Sequence, residues 1–391
     1  MSPQTSVLRI TLVGLVSLAI AMGIGRFAFT PLLPMMRDDG LASIADGGVL
    51  ASVHFVGYWL GAIFAARLRY APKTTLRLSL ITIGLATLGM GLTDNMTLWL
   101  LFRWLCGVAS AFTLVLVSNY TIKHLAAVGG AAVQGWVFAG VGAGIAAAGL
   151  GALAIMVNGG GSALGWQLFG AVSLILILML CFQIGPEVPD KNNKKNGEVS
   201  SRVPLNWRMV IAYGAAGLGY IIPATYLPVM AKEIVASPIV FGWSWPVFGL
   251  AAFISTLLAA WLQRHVANRR IWAVSQVVMA VGLVLPVVHP HIVTIIISGI
   301  CVGGTFMIIT MAGMQQAHRL APPDDVQRHI AVLTAAFATG QIIGPIFAGA
   351  VHDLTGDFSA ALLITGAILA ATAMPLVTGL PKKEVVLGRD S

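Results

Sequence analysis

The sequence predicts an all-α membrane protein, with twelve transmembrane helices in two six-helix bundles. Three observations carry this prediction: composition, the length of the apolar runs, and an internal repeat. Of the 391 residues, 58% are hydrophobic and 9% charged, whereas an ordinary soluble domain carries about 25% charged residues. A mean hydropathy of +0.89 leaves more apolar surface than water-exposed cores could hide, so lipid is the solvent. The 44 glycines and 18 prolines agree, because both residues are commoner in membrane helices than in soluble ones.

A helix needs about 20 apolar residues to cross the hydrocarbon. Runs of that kind lie at 10–34, 43–66, 75–93, 97–120, 130–157 and 163–184, then at 207–231, 240–263, 271–289, 292–316, 330–352 and 359–380. They are continuous, which predicts helices rather than the short alternating strands of a barrel. Ala19 and Ala21 make an A-x-A-like site behind Arg9, the pattern of a cleavable signal. A retained first span is nonetheless expected, since cleavage would destroy the repeat described next. The one long polar stretch, 186–206, reads as a cytoplasmic linker loop. It separates an N-terminal six-helix bundle, 1–185, from a C-terminal one, 207–391.

The net charge of +9, from 23 basic and 14 acidic residues, would suggest nucleic acid in a soluble chain. Here the charges cluster in short segments between runs, with no aromatic-interleaved basic stripe, so no nucleic-acid partner is expected. Nineteen Lys and Arg fall on the face that holds both termini, against Arg37 and Lys232 on the other. The positive-inside rule then places both termini and the linker in the cytoplasm. Cys106, Cys181 and Cys301 lie inside apolar runs without a CxxC pair, which implies neither a disulfide nor a metal site.

A shift of 194 residues sets Gly23, Gly25, Leu33 and Pro34 on Gly217, Gly219, Leu227 and Pro228. The same register aligns Gly48 with Gly242 and Ala65-Ala66 with Ala259-Ala260, so the chain reads as a six-span repeat. More local marks are Arg103-Trp-Leu-Cys-Gly107 in the fourth span, and Gly340-Gln-Ile-Ile-Gly344-Pro345 with Asp353-Leu-Thr-Gly356 around the eleventh. Together these features resemble the major facilitator superfamily. Its halves are parallel repeats about an axis along the membrane normal. The segment from Gly23 to Pro34 resembles the YbfB/YjiJ-type branch. The loop 61–75 lacks the Asp of the superfamily's Gly-x-x-x-Asp-Arg signature, and the fifth span lacks the Gly-Pro of its antiporter motif. The resemblance implies a bacterial inner-membrane protein, a monomer, that moves a solute by alternating access.

A charged side chain at the bilayer centre costs about 2.5–3.5 kcal/mol on insertion scales, so each one needs a reason. Arg26, His54 and Arg103 are the ionisable residues deep in spans, and no carboxylate lies equally deep. An anionic substrate would supply the missing charge, since a guanidinium binds a carboxylate bidentately. The competing reading satisfies both arginines with Asp46, backbone carbonyls and water. His54, and after it Asp46, are the candidate proton carriers; the alternative is a neutral, hydrogen-bonded histidine. Tyr58 lies one turn from His54 on the same face. Tyr220 stands in the second half where Arg26 stands in the first, with Tyr213 seven residues before it. Trp136 and Gln341 complete the candidate substrate-binding set, while Asn119, Gln134 and Gln276 are equally readable as helix-to-helix glue.

No nucleotide loop of the form G-x-x-x-x-G-K-[ST] occurs, so no cofactor is expected and gradients would drive transport. The first expectation is a secondary transporter for a small organic solute, a small organic anion symported with a proton. The alternatives are a proton-antiporting exporter of amphipathic or cationic compounds, its cavity lined with Trp136, Trp243, Trp245 and phenylalanines, and a non-transporting membrane sensor. An enzyme is not expected, because no catalytic set gathers on one side of the membrane.

Overall fold

The computed structural model describes residues 3–65, 72–184, 203–321 and 323–378. The first span is built in pieces: α1 (Pro3–Leu18), a π-helical turn (Ala19–Ile24) and α2 (Phe29–Asp38). The first half continues with α3 (Ile44–Ala65), α4 (Pro72–Met90), α5 (Met96–Ala127), α6 (Gln134–Val157) and α7 (Ser162–Cys181). The second half comprises α8 (Trp207–Ile234), the short α9 (Pro238–Phe241) leading into α10 (Ser244–His265), α11 (Asn268–Val288), α12 (Ile292–Leu320), α13 (Pro323–Thr355) and α14 (Ser359–Thr378). Among the described residues, eleven helical segments are long and apolar enough to cross a membrane. The twelfth span, α4, packs between α5 and α7; Lys73 and Arg77 in its first turns lower its average hydropathy.

The linker as far as Arg202 lies outside the described residues. So do Arg67, Arg69, Lys382, Lys383 and Arg389, on which the charge count draws. Several helices outrun the apolar runs read from the sequence. α5 continues to Ala127 through Lys123 and His124, and α12 to Leu320 through His318 and Arg319. A helix keeps its own backbone hydrogen bonds, so it can extend past the hydrocarbon wherever its side chains suit the interface.

Each half repeats one neighbour pattern: α3 on α5, α4 on α5 and α7, and α1 on α6 are matched by α10 on α12, α11 on α12 and α14, and α8 on α13. Between halves, α2 meets α8, α3 meets α13, and α6 meets α10. The first and seventh spans occupy the centre, where residues 20–36 and 219–231 are buried throughout. Contacts between them join residues 194 apart. Arg26 bonds to Tyr220, the Thr30 hydroxyl to the Ala224 carbonyl, and Lys232 to Asp38. Equivalent positions of the repeat therefore face each other across an axis that runs between the two spans.

Glycines let these backbones approach, and they fall into two classes. A methyl group on Gly107 would stand 2.0 Å from the His54 carbonyl oxygen, and one on Gly140 2.2 Å from that of Leu15, both within the first half. On the other face of α6, Gly142 would meet the Phe253 nitrogen at 2.3 Å, and across from it Gly249 would meet the Ala146 nitrogen at 2.3 Å, both between halves. The glycine-rich run from Gly140 to Gly151 thus serves two interfaces at once. Gly107→Ala should overpack a permanent contact and cost about 1–3 kcal/mol, seen as a lower melting temperature. Gly249→Ala should leave the melting temperature nearly unchanged and instead reduce the disulfide yield between Asp38→Cys and Lys232→Cys, which reports closure of that face.

Candidate functional site

The site begins with the break in the first span. Gly23 packs its backbone on Gly144, and Gly25 fits against Ile83 and Cys106, so neither position has room for a side chain. The ladder here runs Gly25 N–H to Ile20 O at 2.8 Å, then Ala28 to Ile24 and Thr30 to Phe27. A wide π-type turn of this kind is a common device at functional sites. The carbonyls of Gly25 and Arg26 turn outward, toward α5.

Arg103 receives them. Its Nη1 donates to Gly25 O at 3.2 Å, its Nη2 to Arg26 O at 3.4 Å, and its Nε to Leu50 O on α3 at 3.4 Å. The guanidinium also lies 4.7 Å over the Phe29 ring, and the residue is 2% exposed. One planar fork thereby ties spans one, two and four together. Gly107, one turn on, lets α5 close on α3 so that the fork can reach. The Arg-x-x-x-Gly spacing is a packing device.

Arg26 is placed differently. Its guanidinium carbon sits 4.9 Å from the Phe27 ring centre, 4.7 Å from Phe55 and 5.1 Å from Tyr58. Its Nη2 donates to the Tyr220 hydroxyl at 2.5 Å, while its Nε is buried without a partner. The residue is 5% exposed, and among the described residues no carboxylate pairs with it. Gln341 Nε2 donates to the same Tyr220 oxygen, so the phenol accepts twice and its own proton remains free to donate. The cluster holds one positive charge, several donors and no matching anion.

His54 is fully buried with both ring nitrogens unpartnered, its ring edge-on to Phe55 at 5.5 Å. It interacts electrostatically with Arg103 and Arg26. Arg26, Tyr58, Tyr220, Gln341 and His54 are therefore brought together. Asp46 is not: its carboxylate accepts from Ser43 N at 2.9 Å and from Ser43 Oγ at 2.7 Å while its own N–H donates to Ser43 Oγ. That reciprocal pattern is a helix-start capping box. Tyr213 donates to the Thr310 carbonyl at 3.2 Å and adjoins the site, its ring packed on Phe337, which in turn stacks on Tyr220. Trp136 is 47% exposed, edge-on to Phe253 across the halves. Gln134 and Gln276 bond within their own halves, as glue. Trp243 is exposed at the start of α10.

Sequence reading missed most of the aromatic lining. Phe306 stacks on Tyr220 at 5.0 Å and 8°, and Phe337 stacks on it at 5.4 Å and 18°. Spans that are apolar all round offer no amphipathic stripe to mark such residues.

The family described as "Uncharacterised MFS-type transporter YbfB" matches residues 18–377. A relative named "Niacin transporter NiaP", from Acinetobacter baylyi, is 32% identical over 113 residues, which cover 27% of this chain and 25% of that protein. The match thus spans about a quarter of the relative's length. Among solved structures, the nucleoside transporter NupG is similar with a TM-score of 0.71 at 15% identity, over 95% of this chain and 98% of that one. A D-xylose-proton symporter is similar with a TM-score of 0.76 at 12% identity, over 96% and 98%. At these identities the likeness is one of fold.

The two arginines should separate by experiment. Arg103→Ala leaves the buried Arg26 carbonyl without its donor, at about 1–3 kcal/mol for an acceptor left unpaired, and should lower the melting temperature of purified protein. Arg26→Ala removes an underused donor and should melt near the wild type. Equal melting of Arg103→Ala and wild type would contradict the packing role.

Proposed function

Since the chain belongs to the YbfB-type family of major facilitator transporters, and is a multi-pass secondary transporter, we propose that its solute is a small organic anion carried together with a proton. The observation behind this reading is Arg26: a buried guanidinium beside the axis, bonded only to a neutral hydroxyl. An arriving carboxylate finds Arg26 Nε and Nη2 as a fork and the Tyr220 proton as a further donor. The relative whose printed name is a niacin transporter handles a monocarboxylate, which supports the same class. Export of cations would suit the aromatic side chains, but the cluster holds the Arg26 guanidinium and, among the described residues, no carboxylate.

The halves would rock about the axis between spans one and seven, exposing the site to each side in turn. Cross-half hydrogen bonds and ion pairs lie at or beyond Arg26, toward the 39–43 connection. They include Lys232 with Asp38, and Arg37 with Glu233 at 3.7 Å. With cytoplasmic termini, as the charge asymmetry of a bacterial inner-membrane protein indicates, this is the state closed to the outside.

His54 is the proton carrier in this reading. A charged imidazole would stand beside Arg26 and Arg103. An anion on Arg26 offsets that repulsion, so anion and proton favour each other's binding by the same factor. Neither rides easily alone, which is the requirement for symport.

A monocarboxylate at about 100 times its dissociation constant should stabilise the purified wild type by about 2.7 kcal/mol, and Arg26→Ala should abolish that gain. Retained stabilisation in Arg26→Ala would sink the anion reading. In proteoliposomes, adding the anion should alkalinise the medium. His54→Gln should bind the anion yet lose the alkalinisation, and a variant that still alkalinises it would remove His54 from the coupling.

A further inference from the structure

The face that closes over Arg26 carries a histidine that the anion reading does not use. His352 lies in the last turn of α13, its side chain 13% exposed. Its Nε2 stands 3.2 Å from Glu233 Oε1 on α8, in the same half. The same oxygen stands 3.7 Å from Arg37 Nη1, which comes from α2 in the other half. On the far side of the ring, Nδ1 is buried without a hydrogen bond, 3.5 Å from Asp353 Oδ1.

One carboxylate oxygen thus faces two partners, and they belong to different bodies. Arg37 leaves when the halves part, while His352, Asp353 and Glu233 stay together. A neutral imidazole has one N–H, so it donates to one of these carboxylates and turns a lone pair on the other. An imidazolium donates to both. Its charge then matches Glu233 within the half and repels the Arg37 guanidinium that shares the oxygen. The charged groups on the elements around the ring are engaged elsewhere. Lys232 on α8 pairs with Asp38 on α2, Asp46 on α3 is held by Ser43, and Asp357 beyond α13 accepts from Ser359 N at 2.8 Å. His291, ahead of α12, accepts from Val293 N at 3.2 Å. The ring also packs on Phe358 at 4.5 Å, and Phe358 lies 4.9 Å from Tyr226. Tyr226 shares its proton between Pro345 O at 2.8 Å and Ile44 O of the other half at 3.4 Å. His352 therefore borders the seam between halves.

We propose that His352 is a proton switch for this closure: on taking up a proton it replaces Arg37 as the partner of Glu233 and releases the closed face. The sign follows from the shared oxygen. A proton on His352 is repelled by Arg37 in the closed state and is free of that repulsion once the halves part. Protons therefore favour the state in which this face is open, and by reciprocity that state favours protons. The switch is separate from His54, which lies at the axis beside Arg26; it governs access and leaves the choice of solute to the centre.

The test reads the separation of the halves in the purified full chain. Spin labels at Leu92→Cys in the first half and Ile239→Cys in the second, both exposed, give that distance by pulsed electron resonance. The native Cys106, Cys181 and Cys301 are first replaced by alanine and the melting temperature checked, and labelling is completed at one pH. Lowering the pH from about 8 to about 5, the range in which histidine changes charge, should raise the ratio of long to short distances. A rise of about fivefold or more is expected, the usual lower bound of a coupling between two equilibria. His352→Gln keeps a hydrogen bond to Glu233 and cannot charge, so it should hold the short distance at both pH values. Arg37→Gln should lengthen the distance already at the higher pH and flatten the response, while His54→Gln should respond as the wild type does. A His352→Gln protein that still responds, a His54→Gln protein that does not, or a wild type in which acid shortens the distance or leaves it unchanged would overturn the switch. None of these results bears on the anion reading.

Discussion

The interruption of the first span is the constraint from which the centre of the molecule follows. Inside a bilayer a freed carbonyl has no water to accept from, so a broken helix survives only where protein supplies the donors. Arg103 supplies them, sharing the Gly25 carbonyl with the Cys106 thiol, and by holding the carbonyl of Arg26 it also fixes where the Arg26 side chain departs. One arginine is thus consumed so that another can be left available. The close approach of α5 to α3 at Gly107 is a condition of the same arrangement, because the guanidinium reaches carbonyls on two helices at once.

Around that centre, packing sorts into what must persist and what must come apart. Contacts within a half, such as α3 on α5, build a rigid body. Those between halves, such as α6 on α10, belong to one state of a switch. Packed interfaces have discrete arrangements and deform little between them. Small residues on both faces of α6 serve each purpose: close to α1 for good, close to α10 for a time.

Much of this was legible in the sequence, and the reasons differ by residue. The span count rests on hydropathy, which the bilayer imposes on every run, and α4 shows where two early cations dilute it. Four identities at a shift of 194 betrayed the repeat, and the same shift now names the residues that touch. Arg26 and Arg103 were equally conspicuous as buried cations. Their roles separate only once the π-turn is seen, since which carbonyls are freed is a matter of backbone geometry. Asp46 was read from its depth in a run, yet Ser43, three residues earlier, makes it a cap. Phe306 and Phe337 carried no mark at all, because lipid-facing and site-facing phenylalanines look alike in an apolar helix.

The pairing of Arg26 with Tyr220 has a meaning for how a duplicated chain acquires a site. Two identical halves related by a twofold axis would place the same residue twice at that axis. Two arginines meeting there would repel, and two tyrosines would offer an anion no charge. Divergence at this one pair of positions therefore gives the centre a head and a tail, by which, in the function proposed, an unsymmetrical molecule would be held one way round. The fold keeps its twofold framework of helices while its axis gives up that symmetry at Arg26 and Tyr220.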